Sequence, residues 1–308
     1  MALLLARGMV MELCGKQVEI KGRLLHIASV VGDGYHFVED PKPLIENAHS
    51  LSSRIDLFTF MQRLPETSPK YNYPMEWDNF AALPITTFDN WWTRELGFKA
   101  RNKAKQAEKK GVVVKEVPFN DDLVKGIWEV YNECPVRQGR PFSHWGKKLE
   151  TVYNEEATFL DSSIFVGAYL ESGLVGFVKL VVDQTRTQAG LMNIVAMIRH
   201  RDKAVTNALV AQAVRSCAER KIPYLVYSNF AYGKKQRDSI TDFKERNGFR
   251  RIDVPRYYVP LTSLGRIALR LGFHHDMIGS IPEPIAARLR GLRNAWYNRK
   301  MNPLNEPV

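Results

Sequence analysis

The sequence predicts an α/β protein with a mixed central sheet flanked by helices and a β-rich extension at the N-terminus. Three observations predict it. From residue 112 onward, strand-like and helix-like runs follow in the order β-α-α-β-β-β-α-β-α-β. Three of the strand-like runs, 163–171, 173–183 and 188–198, are separated only by short turns and so pair antiparallel. The helix expected from about 203 to 220 is apolar on nearly every side, through Ala204, Val205, Ala208, Leu209, Val210, Ala211, Ala213 and Val214. A helix of that kind is buried, and as a crossover it makes the strands on either side parallel neighbours.

The 308 residues suffice for one large domain or two modest ones. Hydrophobic residues make up 45% and charged residues 25%, as in a soluble chain that buries a core. The net charge of +11, from 44 Lys+Arg against 33 Asp+Glu, predicts an anionic partner: a phosphorylated cofactor, a nucleic acid or a membrane surface. Cys14, Cys134 and Cys217 are widely spaced and contain no CxxC. That argues against a disulfide framework or a zinc site, so no metal is expected, and a reducing compartment fits. The opening MALLLARGMVMEL is too short and too soon interrupted for a signal peptide, and Met9 and Met11 are alternative starts. No apolar run is long enough to span a bilayer. The expected location is cytoplasmic, with peripheral contact at the inner membrane face left open.

In chain order, QVEIKGRLLHIASV and YHFVED alternate apolar and polar residues around Gly32-Asp33-Gly34, which predicts a hairpin there. Residues 54–64 read as a strand with Ile55 and Leu57 buried, and 65–87 as a long Pro- and aromatic-rich connection. A helix N-capped by Asp89 is expected to run through Trp91 and Trp92 to Gly111. A strand over 112–119 follows, then a helix over 120–134 with an acidic first turn and one face of Leu123, Ile127, Val130 and Tyr131. After the loop PVRQGRPF comes a second helix in HWGKKLETVYNEE. Beyond the crossover helix lie the strand YLVYSNF, the helix DSITDFKERNGF and a final strand pair or edge in RRIDVPRYYVPL. Three segments result: 1–87, β-rich; 88–262, the α/β domain; and 263–308, basic and helical.

This succession, with the basic turn Arg199-His200-Arg201-Asp202 opening the buried helix, resembles the GNAT superfamily of acyl-CoA N-acyltransferases over roughly residues 88–262. FKARNKAKQAEKKGVVVKEV and SITDFKERNGF are similar to the branch that includes Fem-type peptidoglycan aminoacyltransferases. The resemblance implies that 1–87 is either a partial second GNAT-like half or an added sheet. It implies an acyl-CoA donor, acetyl-CoA first, and an amine acceptor on a sugar, amino acid or envelope precursor. Ala196, Met197 and Ile198 would offer backbone groups to pantetheine, and Arg199, Arg201, Lys203, Ala204 and Val205 amides and charge to phosphate. Asn229 matches an Asn near the pantetheine. Free N–H groups and the helix dipole at such a turn favour an anion in any case, and Arg adds charge-assisted bonds. The plain alternative is a solvated turn. The turn lacks the family's glycines, and Fem-type relatives, which use aminoacyl-tRNA, also lack a clean glycine turn.

Amide-forming transfer asks for juxtaposition, proton removal and oxyanion stabilisation. The strand QAGLMNIVAMI carries no carboxylate, and Asn193 is its central polar residue, either a substrate contact or a satisfied buried amide. Where the family has a Tyr acid, this chain has Phe243, which leaves Tyr232 or Tyr227 as substitutes. In the loop 134–145, Arg137, Gln138 and Arg140 suit an anionic acceptor and His144 a base; the alternative is a solvated basic loop. The lysines of 99–110 are either solvated or face a polyanion such as tRNA. The basic amphipathic stretch 285–300 either docks on its own domain or lies on an anionic membrane. The expected function is an acyl-CoA-dependent N-acyltransferase. The rivals are an aminoacyl-tRNA-dependent Fem-like transferase, which the lack of a heptad run disfavours, and a non-catalytic GNAT-fold binding protein. A nucleic-acid-binding protein ranks third.

Overall fold

A computed structural model describes residues 9–50, 55–137, 139–230 and 239–275, together with Arg288, Gly291 and Trp296. The N-terminal elements are β1 (Met9–Leu13), β2 (Lys16–Lys21), β3 (Ile27–Val30), α1 (Lys42–Ser50), β4 (Leu57–Met61) and β5 (Met75–Pro84). Then come α2 (Phe88–Asn90), a π-helical turn Trp91–Glu95, α3 (Phe98–Lys109), β6 (Val113–Val117) and α4 (Asp121–Asn132). The small hairpin β7 (Val136–Arg137) and β8 (Arg140–Pro141) precedes α5 (Leu149–Glu156). The rest is β9 (Ser163–Leu170), β10 (Gly173–Val182), β11 (Gln188–Ala196), a 3-10 turn Ile198–Lys203, α6 (Val205–Glu219), β12 (Tyr224–Asn229), α7 (Ser239–Arg246), β13 (Arg250–Pro260) and α8 (Ser263–Leu271).

Eleven strands form one mixed sheet in the order β1-β2-β3-β4-β13-β5-β12-β11-β10-β9-β6. The expected antiparallel trio is β9, β10 and β11, and α6 is the expected crossover, since β11 and β12 pair parallel. The N-terminal part repeats that order: β1, β2 and β3 are antiparallel, α1 crosses over, and β4 pairs parallel with β3. The two halves then exchange a strand. β5 lies antiparallel beside β12, and β13, last of the described strands, lies antiparallel between β4 and β5. The sheet therefore has no break at residue 87.

The main core lies under α6, where Leu209, Val210, Ala213 and Val214 pack on the strands and on the Ala100, Ala104 and Ala107 face of α3. Small residues on that face let α3 approach closely and leave its lysines outside.

Four expectations change. The hairpin reverses at Gly22, not at Gly32–Gly34, and pairs β2 with β3. The 35–40 run leaves the sheet because Tyr35 packs over Gly190, where a Cβ would lie 2.4 Å from the Tyr35 ring, and His36 sets its ring against Phe159 at 4.8 Å. The 65–87 connection contains β5, hidden by Pro74, Pro84 and the alanines at 81 and 82, which have little strand preference. The long helix from 88 breaks at Leu96-Gly97, because Trp91 Nε1 donates to Asn247 O at 2.9 Å and Gly97 N to Arg246 O at 3.0 Å, fastening this segment to the end of α7. Its N-cap is Thr87, whose Oγ1 accepts from Asn90 N, not Asp89. The final strand pair is the single strand β13.

Candidate active site

The site follows from the place where the two parallel strands part. β11 and β12 pair at only three positions, Gln188–Tyr224, Ala189–Leu225 and Gly190–Val226. On β11, Met192 is an extra residue, since Leu180 faces Leu191 while Lys179 faces Asn193. Such a bulge bends its strand and increases the local twist. On β12 the register with β5 shifts between Val226 and Asn229, and Ser228 sits at φ 48, a left-handed conformation costly for a residue with a side chain. The backbone edge beyond Gly190 is thus unpaired towards β12, and Asn193 to Ala196 are half-buried.

The β11 wall carries proton-bearing groups in unusual environments. Asn193 Nδ2 donates to Glu156 Oε1 at 3.0 Å, and Tyr131 Oη donates to the same oxygen at 2.8 Å. Glu156 is fully buried, and burial raises its pKa against the opposing pull of Tyr131, Lys179 and Asn193. Lys179 Nζ donates to Glu156 O at 2.7 Å and to Thr158 O at 2.6 Å, and burial lowers its pKa to about 8. Tyr131 has its pKa raised, first by burial and then by Glu156. His144 stacks on Tyr131 with centroids 4.3 Å apart. Burial and Lys147 lower its pKa, and its Nδ1 accepts from Lys147 Nζ at 3.4 Å, which leaves Nε2–H as a donor on the neutral ring.

The loop 134–145 is pinned to the end of the same strand. Arg137 Nη1 donates to Ala196 O at 2.7 Å, Nη2 donates to Val130 O at 2.9 Å, and the guanidinium lies over Phe142 at 4.4 Å. Arg140 is exposed on β8, and Gln138 lies outside the described residues.

The turn that opens α6 is closed by a carboxylate of the protein itself. Glu133, at the C-cap of α4, accepts from Ile198 N at 2.6 Å and from Arg199 N at 2.9 Å. His200 N bonds to Met197 O and Ala204 N to Arg201 O. The Ala196 carbonyl and four of the turn's amides are therefore engaged within the chain. The side chains of Arg199 and Arg201 remain exposed, Met197 and Val205 are buried, and Lys203 Nζ lies 3.9 Å from Asp202. Ala204 takes φ 55, a left-handed conformation. Gln106 and Lys110 of α3 donate to Asp202 O at 3.0 and 3.1 Å. That contact joins the lysine-rich helix and the basic turn into one surface.

The β12 wall is a chain of compensated charges. Asn229 Nδ2 donates to Asp78 Oδ1 at 2.8 Å, and Lys244 Nζ, buried, donates to Asn229 O at 2.5 Å. Arg256 bridges Asp78, at 3.0 Å, and Asp33, at 2.6 Å, and these partners hold its pKa above the ordinary value despite burial. Tyr227 lies beside Lys244, with Nζ 4.7 Å from its ring centroid. Tyr232 and most of 285–300 lie outside the described residues.

No protein-family model matches the sequence, and no curated protein does. The likeness is structural. The C-terminal domain of a putative lysylphosphatidylglycerol synthetase from Agrobacterium fabrum superposes with a TM-score of 0.56 at 14% identity, covering 86% of this chain and 88% of that one. L-PGS from Bacillus licheniformis gives 0.55 at 15% identity, again over 86% and 88%. FemX gives 0.51 at 12% identity, over 78% of this chain and 83% of its own. The fold is GNAT-like, and FemX shares it. At these identities the likeness is one of fold, and the chemistry has to come from the site itself.

Of the residues singled out by sequence, Asn193, His144 and Arg137 gather on the β11 wall. Arg199, Arg201 and Lys203 lie at the turn, and Asn229 on the opposite wall. Sequence reasoning missed Glu133, Glu156, Lys179 and the Asp33–Arg256–Asp78 chain. Lys179 had left a signal: it is the lone charge within GLVGFVKLVV, and a charge in a buried strand needs partners.

Proposed function

We propose that this protein is an acyltransferase that accepts an aminoacyl-type acyl group from a tRNA-like polyanionic carrier. It passes the group to an amine or hydroxyl seated between β11 and β12. The observation that carries this reading is the Glu133 carboxylate on the Ile198 and Arg199 amides. A diphosphate approaching those amides finds them already bonded to a carboxylate that is itself paired with Arg137 at 3.4 Å, whereas a large polyanion is held by side chains spread over a surface. The exposed Arg199 and Arg201, together with Lys99, Lys103, Lys105 and Lys109 on the outer faces of α3, supply such a surface.

The ester of such a donor is already activated, so the protein has to position, deprotonate and stabilise charge. Asn193, held by Glu156, aims an amide at the reacting region as a hydrogen-bonding contact, and Tyr131 and Glu156 act as positioning residues behind it. His144, stacked on Tyr131 and with Nδ1 accepting from Lys147, keeps Nε2–H to donate to the acyl oxygen, and the nucleophile's proton passes to the departing carrier oxygen. The names of the structural neighbours, a lysylphosphatidylglycerol synthetase among them, support a transferase of this general kind. An acyl-CoA donor is the second reading; the unpaired β11 edge beyond Gly190 suits an extended pantetheine arm.

The test is transfer itself. The purified chain is given labelled aminoacyl-tRNA or labelled acyl-CoA with mixed lipid and amine acceptors. Label is expected to leave the tRNA and not the thioester, with Asn193→Ala and His144→Ala each slowing transfer about 10²-fold. Discharge of acyl-CoA alone overturns the donor assignment.

A further inference from the structure

Three ligating side chains converge where the end of α8 meets β5, next to Arg256, which lies opposite Glu76 across β13 and β5. Glu76 stands on β5. His274 and His275 follow Gly272, which takes φ 73 and caps α8 by donating to Ala268 O and Leu269 O. The left-handed glycine turns the chain back, and two successive histidines face one carboxylate. His274 Nε2 is 2.9 Å and His275 Nε2 3.1 Å from Glu76 Oε1, and the three ligand atoms all lie within 4.8 Å of one another. The His274 ring is 1% exposed and braced by the Tyr258 ring at 4.6 Å. His275 and Glu76 are 49% and 41% exposed, so the cluster is open to solvent on one side.

The imidazole rings lie 4.0 Å apart, with both Nε2 atoms turned on one carboxylate oxygen. A divalent cation suits that arrangement, because it binds two neutral rings and neutralises the carboxylate. Bonds of about 2.0–2.1 Å in tetrahedral geometry place ligand atoms roughly 3.3 Å apart. The two nitrogen–oxygen separations, 2.9 and 3.1 Å, reach that with a shift of a few tenths of an ångström, and the two nitrogens, within 4.8 Å, close on the ion by turning the exposed His275 ring. Two nitrogens and one oxygen suit zinc-like ions, whereas Mg²⁺ and Ca²⁺ prefer oxygen throughout. We propose that Glu76, His274 and His275 bind a zinc-like divalent cation with water in the fourth position, clasping the end of α8 to the exchanged strand β5. His274 Nδ1 is buried and has no hydrogen-bond partner. The outer hydrogen bond that strengthens zinc sites by about 10–100-fold is missing, so the expected affinity is micromolar. This inference is independent of the proposed transfer reaction.

The test uses the full chain, free of any affinity tag and treated with chelator. Zn²⁺ titrated calorimetrically is expected to bind one per chain with micromolar affinity and to raise the melting temperature by a few degrees, while Mg²⁺ and Ca²⁺ do neither. His275→Ala, at the exposed ring, keeps the fold and is expected to weaken zinc binding at least about tenfold, as is Glu76→Gln. Cys14→Ser and His49→Ala, which remove other zinc-avid groups, leave it unchanged. No binding by the wild type at tens of micromolar, or undiminished binding by His275→Ala, overturns the proposal.

Discussion

The two walls of the gap between β11 and β12 are built on opposite electrostatic plans. On the β12 wall the charges at its centre are paired: Arg256 sits between Asp33 and Asp78, and Asp78 in turn holds Asn229. On the β11 wall burial outweighs pairing, so Glu156 holds its proton more tightly and Lys179 more loosely than usual. A compensated network crossing from residue 33 to residue 256 fastens the two halves of the sheet together. A buried one brings Lys179 down to about 8, and strongly shifted groups are where acid–base chemistry is expected. The difference assigns one wall to stability and, in the proposed reaction, the other to chemistry.

The largest effect expected from breaking this contrast is on stability. Arg256→Ala leaves Asp33 and Asp78 facing each other without their cation and costs about 3–5 kcal/mol in urea unfolding. Activity per folded molecule is expected to survive. Next comes the reverse pattern. Glu156→Gln is expected to lower transfer about 10²-fold while changing stability by less than about 1 kcal/mol, because a neutral side chain suits the buried site. Loss of stability in Glu156→Gln with activity intact dissolves the distinction between the walls.

A pH series sharpens the contrast without any substrate. The Lys179 ammonium loses its proton at about 8 in the folded protein, against 10.5 for the unperturbed group. Between those values the unfolded chain binds more protons than the folded one, so stability rises with pH through that window, by at most about 1.4 kcal/mol per unit. Lys179→Met is expected to flatten that rise, and a wild-type curve that falls there contradicts the assignment. The smallest effect concerns the turn at the mouth of the gap. Ala204→Gly relieves a left-handed alanine and is expected to stabilise by about 0.5–1 kcal/mol, read as a small rise in melting temperature.

The architecture was legible where it rests on local pattern. The apolar α6 predicts its own burial, and Ser172-Gly173 and the short turn after β10 predict the antiparallel trio. The strand exchange was not legible, because β5 is written in alanines and bounded by prolines, and its partners β12 and β13 lie far along the chain. The site divides in the same way. Asn193 stands out as the polar residue of an apolar strand, and its half-buried place on the β11 wall follows from that position. Glu133 does not stand out, since it meets the turn amides 65 residues later. That one carboxylate occupies the amides on which the proposed donor assignment turns. The lysines of α3 are exposed, and Gln106 and Lys110 hold their helix against Asp202, a contact between residues nearly a hundred positions apart.

The most direct measurement is donor binding by the wild type and by Glu133→Gln, each titrated with acetyl-CoA and with aminoacyl-tRNA at two salt concentrations. The wild type is expected to bind the tRNA with a steep loss of affinity in higher salt, to lose much of that affinity in Arg199→Ala/Arg201→Ala, and to ignore acetyl-CoA. Glu133→Gln, with the negative charge gone from the turn, is expected to gain affinity for acetyl-CoA at least about tenfold, which is 1.4 kcal/mol. Micromolar acetyl-CoA binding by the wild type, unimproved in Glu133→Gln, would contradict the account at its centre.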